Sequence, residues 1–217
     1  GIQEKKPIGI FSLEMSKEEL VDRLLVAQAD VDAWKLKTGR LTEDDFSRIS
    51  QAMGELAEAP IFIDDTPGLS LTEMRSKARR LQMEHDVQLL IVDYLQLVDP
   101  GKHYESRVQE VSAVSQALKN LARELQLPIL SAAQLSRAVE QRQDKKPQLS
   151  DLRDSGAIEQ DADVVMFLHR PDSDMTTSLI PVKLSVAKHR NGPTGEVDLL
   201  FQGNRIRFMS VERAHTS

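Results

Sequence analysis

The sequence predicts an α/β fold: a mostly parallel sheet with helices on both faces and antiparallel strands at its C-terminal edge. Three observations predict it. Short apolar runs alternate with longer segments whose apolar residues recur every three or four positions. Hydroxyl-x-x-acid pairs stand at the start of three of those longer segments, the pattern of a helix N-terminus. Near the C-terminus the pattern changes to strand-like runs divided only by the turn strings NGPTG and QGN. Strands that alternate with helices run parallel through crossovers, whereas strands joined by tight turns run antiparallel.

The elements follow in order. PIGIFSL (7–13) reads as a buried strand, and Ser16 with Glu19 opens a helix over SKEELVDRLLVAQA. Thr42 with Asp45 opens a second helix reaching about Ala57. IFIDD (61–65) is a strand, TPG (66–68) a turn, and Ser70 with Glu73 caps a helix to about His85. QLLIVDYLQLV (88–98) reads as one strand. The next helix carries Val108, Val111, Val114, Leu118, Leu121 and Leu125 on a single face. LPILSAA (127–133) and ADVVMFLHR (162–170) are strands, and Gln141–Pro147 is the expected mobile loop. LIPVKLSVAKHR, EVDLLF and RIRFMSV complete the sheet.

The chain has 217 residues with 40% hydrophobic and 29% charged, an ordinary composition for one globular domain. It has no cysteine, which excludes disulfides and thiolate metal sites and fits a reducing cytoplasm. No apolar run approaches the roughly 20 residues that span a bilayer. A net charge of −6 argues against a surface that coats nucleic acid indiscriminately, although a local basic path is compatible with it. Aromatic residues make up 4% of the chain, too few for base-stacking platforms, so contact with a phosphate backbone fits better. His85, His103, His169, His189 and His215 show no metal-ligand spacing with one another.

Asp93 poses the main chemical question. It ends the apolar run LLIV, where a charged carboxylate needs a counter-charge. A metal ion, a helix N-terminus or an arginine would each serve. Two further polar residues follow apolar runs: Glu14 after GIFSL and Gln134 after ILSAA. Ligands of open α/β sheets bind outside the carboxyl ends of the strands. There an Asp can hold Mg²⁺ through water, a Glu can polarise an attacking water, and a Gln amide can sense a γ-phosphate. Each residue alone also has an ordinary reading, as a turn carboxylate, a first-turn acid and a loop amide. The phosphate-cradling motif G-x-x-x-x-G-K-[ST] does not occur in the 217 residues.

FSLEMS (11–16), IDDTP (63–67), IVDYLQL (91–97), QLSRAVEQRQDKKPQLSDLRDSGAIEQDAD (134–163) and AKHRNGPTGEV (187–197) together resemble the C-terminal motor domain of DnaB-type replicative DNA helicases. The resemblance covers nearly the whole chain in order. It implies a RecA-like ATPase domain over 1–217 that uses ATP and Mg²⁺, forms a homo-hexameric ring on single-stranded DNA and works with a primase and a helicase loader in the cytoplasm. By the same resemblance Glu14 activates water, Asp93 serves Mg²⁺ and Gln134 links the γ-phosphate state to the DNA loops. Lys188 and Arg190 match the pair that reaches a neighbouring subunit's ATP, Arg190 as the arginine finger. Arg153, Asp154 and Gly156 match the loop that grips the DNA backbone.

The family's Walker A segment and N-terminal domain have no counterpart in the sequence. The expectation is therefore a domain truncated on its N-terminal side, a monomer or weak oligomer with little ATP turnover alone. A non-catalytic association module and a RecA-like recombination or repair ATPase are the competing readings. The joint presence of Glu14, Asp93, Gln134 and Arg190 argues against the first, and the 134–163 segment against the second.

Overall fold

A computed structural model describes residues 1–142, 145–171 and 179–211, without the side chains of residues 153–155. Gln143 and Asp144 of the expected mobile loop, and His215, lie outside the described residues. The elements in order are β1 (Ile8–Ser12), α1 (Lys17–Ala29), α2 (Ala33–Thr38), α3 (Glu43–Glu58), β2 (Ile61–Asp64), α4 (Leu71–His85), β3 (Leu89–Asp93), α5 (Arg107–Leu125), β4 (Ile129–Ser131), α6 (Gly156–Asp161), β5 (Val164–His169), β6 (Leu179–His189), β7 (Gly195–Gln202) and β8 (Arg207–Ser210). Short 3₁₀ turns at Leu95–Leu97, Arg137–Val139, Leu149–Ser155 and Gly203–Arg205 link some of them. No described helix is long and apolar enough to cross a membrane.

The chain folds as two compact units: Gly1–Asp22, Met53–Ser136 and Ser150–Ala162 in one, Arg23–Ala52, Arg137–Leu149 and Asp163–Ser217 in the other.

The first unit holds a parallel sheet in the order β2-β1-β3-β4. Its core gathers Phe11 and Leu90 from the sheet, Met74 and Ala78 from α4, and Val111, Val114, Leu118, Leu121 and Leu125 from α5. These α5 residues belong to the periodic face that the sequence marks. Leucine side chains pack over Gly9: a Cβ there would lie 2.8 Å from Leu90 Cδ2 and 3.1 Å from Leu81 Cδ1.

All three capping pairs form. Ser16, Thr42 and Ser70 accept the backbone N–H of Glu19, Asp45 and Glu73, whose carboxylates accept in return from the cap backbone. Asp65, at the end of β2, adds a bond of 2.8 Å from the Lys17 N–H at the start of α1.

The second unit holds an antiparallel sheet in the order β5-β6-β7-β8. The antiparallel strands thus pair in a sheet of their own instead of continuing the ladder of the parallel one, and β5 joins them. A small cluster of Ala29, Val31, Ile49 and Ala52, with Leu25, Leu36 and Leu41, forms beside α2. The periodicity reading passes over α2, which has only six residues. Its signals are local: Asp32 caps its start and Gly39, at φ +69°, ends it.

Candidate active site

The run LLIVDYLQLV does not continue as one strand. β3 ends at Asp93, a cis Asp93–Tyr94 peptide follows, and Leu95–Leu97 form a 3₁₀ turn. The apolar letters serve two elements, because Leu90 and Val92 of the strand and Leu95 and Val98 of the turn are all buried in one core. Asp93 stands at the break, half-buried.

Its neighbours are fixed by the parallel ladders. Ser12 lies opposite Asp93, and the Leu13 N–H donates to the Asp93 carbonyl at 2.8 Å. This bond carries the end of β1 past Asp93 and leaves Glu14 exposed one residue further on. Buried Ser12 turns its hydroxyl inward to the Met15 carbonyl at 2.8 Å, closing the bend that contains Glu14.

On the other side Ala132 N–H donates to Val92 O at 2.9 Å, and Leu95 N–H to Ala132 O at 3.0 Å. Gln134 is then held by Gln96, whose side-chain Nε2 donates to the Gln134 carbonyl and whose Oε1 accepts the Gln134 N–H, each at 3.2 Å. The backbone segments carrying Glu14, Asp93 and Gln134 therefore meet at the carboxyl ends of three adjacent strands.

Among the described residues, neither the Asp93 nor the Glu14 carboxylate has an ion-pair or side-chain hydrogen-bond partner. Of the counter-charges the sequence leaves open for Asp93, an arginine and a capped helix are thus not supplied by those residues. No group of three or more His, Asp or Glu among them could hold a metal by itself. One half-buried carboxylate fits Mg²⁺, which keeps waters and takes substrate phosphates as its other ligands.

Neighbouring acids differ. Asp64, at the end of β2, is bound by Lys77 Nζ at 2.6 Å. Burial pushes its carboxyl up, but bonds from Lys77 and Thr66 outweigh this and hold it below the usual range. Asp64, separated from Asp93 by β1, is thus committed to a structural ion pair.

Arg153 and Asp154 lie in the Leu149–Ser155 turn, with their side chains outside the described residues, and Gly156 begins α6. The segment expected as a loop is therefore helical, tied down by Ser136 N–H to Asp151 O at 3.1 Å and Ser115 Oγ to Asp161 at 2.8 Å.

Lys188 and Arg190 belong to the second unit. Lys188 lies in β6, in register with Val165. The strand runs through His189, one residue short of the end of the run LIPVKLSVAKHR. Arg190 follows immediately, its N–H on the Asp163 carbonyl at 2.8 Å and its guanidinium on the Asp163 carboxylate at 3.0 Å. His189 folds over the turn toward Pro193 O at 3.2 Å. Gly192 makes room for it, since a Cβ there would come within 2.3 Å of the ring.

Sequence reasoning missed Gln96 and Asp163. Gln96 had a signal: like Asp93, it is a polar letter inside an apolar run.

A family profile for the DnaB-like helicase C-terminal domain matches residues 1–210. The replicative DNA helicase DnaC of Bacillus subtilis is 48% identical over 209 residues, covering 95% of this chain and 46% of that protein. The replicative DNA helicase DnaB of Mycobacterium leprae is 51% identical over 208 residues, covering 94% of this chain and 34% of that protein. The chain thus spans half or less of the length of these relatives. Among solved structures, a DnaB-like replicative helicase studied for its interactions with primase superimposes with a TM-score of 0.91 at 39% identity, covering 96% of this chain and 51% of that one. An ATPase domain superimposes with a TM-score of 0.90 at 38% identity, covering 96% and 76%.

Proposed function

Because this chain belongs to the family of DnaB-like helicase C-terminal domains, we propose that it is the ATP-hydrolysing motor of a replicative DNA helicase, which translocates on single-stranded DNA and unwinds the duplex ahead. The observation that carries this reading is the convergence of three segments at the strand ends. Asp93 is unpaired among the described residues, Glu14 follows the strand beside it, and Gln134 is bonded to the turn after it.

The roles follow from that arrangement. Asp93 holds Mg²⁺ through water, at a strand end where no described side chain competes for it. Mg²⁺ bound with nucleotide neutralises charge developing on the phosphates. Glu14 is exposed and free to orient an attacking water and accept its proton. Gln134 offers its side-chain amide to the γ-phosphate while its backbone stays anchored. Arg190 serves a neighbouring subunit's nucleotide as the arginine finger, with Lys188 beside it, in a homo-hexameric ring. Arg153, Asp154 and Gly156 track the backbone of single-stranded DNA. A primase and a helicase loader are the expected partners, in the cytoplasm.

The test is unwinding of a forked duplex by the full-length protein with ATP and Mg²⁺. The unchanged protein unwinds it, and Glu14→Gln lowers ATP turnover by about 10²–10⁴ while single-stranded DNA binding persists. Strand pairing in place of unwinding would assign a recombination ATPase. Ring assembly without any turnover would assign an association module.

A further inference from the structure

Gln96 occupies the middle of the 3₁₀ turn that begins two residues after Asp93. Its amide faces both backbone polar groups of Gln134, donating through Nε2 to the carbonyl and accepting the N–H through Oε1, each at 3.2 Å. The two bonds fix the amide's orientation, because a flipped amide would set donor against donor and acceptor against acceptor. This paired exchange with one residue is what a neighbouring strand makes in an antiparallel ladder. The side chain thus carries sheet-like pairing beyond β4, whose last ladder residue is Ser131.

Gln96 is itself held in place. Its carbonyl accepts from the Arg107 guanidinium, which also binds Glu110 at 2.7 Å in the first turn of α5. Among the described residues, the backbone groups of Gln134 have no other hydrogen-bond partner, and its side chain has none.

We infer that Gln96 is the positioning residue for Gln134, locking the main chain of that glutamine to the turn that follows Asp93. The inference rests on the proposed role of Gln134 as the γ-phosphate sensor. It adds a side-chain route by which a displacement of Gln134 reaches the turn after Asp93, beside the backbone bonds that Ala132 makes to Val92 and Leu95. A structural side chain would affect stability alone, whereas a positioning residue alters turnover with little effect on ATP binding.

The experiment compares Gln96→Met, Gln96→Glu and Gln134→Ala in the full-length protein. It reads ATP turnover with and without an oligothymidine strand, and hydrogen exchange at the Gln134 amide. Gln96→Met removes both bonds, so that amide exchanges at least about tenfold faster. DNA-stimulated kcat falls about tenfold or more while KM for ATP stays within about twofold. Gln96→Glu retains the acceptor and the shape, so it keeps the amide protected but lowers stimulated kcat. Unchanged exchange in Gln96→Met overturns the inference, and so does faster exchange with full DNA stimulation. Full stimulation in Gln134→Ala would instead overturn the sensor reading, leaving the exchange result to judge the anchor on its own.

Discussion

Asp163 holds Arg190 at two points, its carbonyl on the backbone N–H at 2.8 Å and its carboxylate on the guanidinium at 3.0 Å. The two groups differ in what they can do. The backbone bond fixes where the residue after β6 sits. The ion pair links two side chains that are each about half exposed, 49% for Arg190 and 56% for Asp163, and such pairs contribute only about 0–1 kcal/mol. The guanidinium is therefore positioned without being strongly bound.

That arrangement separates stability from activity at this corner. Arg190→Ala is expected to change unfolding free energy by less than about 1 kcal/mol. It should lower ATP turnover of the full-length protein by about 10³–10⁵ if Arg190 is the finger. Urea melts and steady-state turnover on one preparation decide it, and a stability loss matching the activity loss would refute the role.

Asp93→Asn should behave the same way. Removing a half-buried charge with no described partner leaves no broken ion pair behind, so the melting temperature should hold or rise. Turnover and its Mg²⁺ dependence should collapse. A strongly destabilised variant would mean that Asp93 has a structural partner instead of a metal.

At Asp64 the expected effect is on acid stability. Its carboxyl is held below the ordinary carboxylate value, with Lys77 and Thr66 outweighing the burial that opposes them. A depressed folded-state pKa contributes stability that is fully present above about pH 3.9, the unfolded value, and is lost as pH falls through the lower folded value. Lys77→Met should cost about 1–2 kcal/mol at pH 7 and shrink that acid-limb loss. Urea midpoints measured between neutral pH and strong acid would show it; an unaltered acid limb would count against the pair.

Phe11 tests the core. It is 1% exposed in β1, under the same strand end that leads to Glu14. Phe11→Ala should cost about 3–5 kcal/mol, and turnover should fall with the folded fraction.

Much of this was legible in the sequence, and what was not has physical reasons. Capping pairs and the α5 stripe are local patterns with a fixed period, so Ser70, Glu73, Val111 and Leu118 announced their elements. The 88–98 run misled because an apolar letter reports burial without saying in which element: Val92 of the strand and Leu95 of the turn share one core. α2 and α6 are too short for a period to show. At the site, Glu14, Asp93 and Gln134 stood out as polar letters after apolar runs, and the structure brings their backbones together. Asp163 did not stand out, because a partner for Arg190 lying 27 residues earlier in the chain is created only by the β5–β6 pairing. The strands after β5 read correctly as antiparallel, but which sheet they join depends on pairing over long separations, which composition does not encode.

The position of Arg190 at the end of β6 has a mechanical consequence. β6 is flanked by β5 on one side and β7 on the other, through ladders that run along most of its length. A pull on the guanidinium along the strand axis loads those bonds side by side, in shear, so that none can fail before its neighbours share the strain. A pull across the sheet would instead peel them one at a time. Such a strand is a stiff strut in one direction and a zip in the other, and Arg190 sits at the end of the strut.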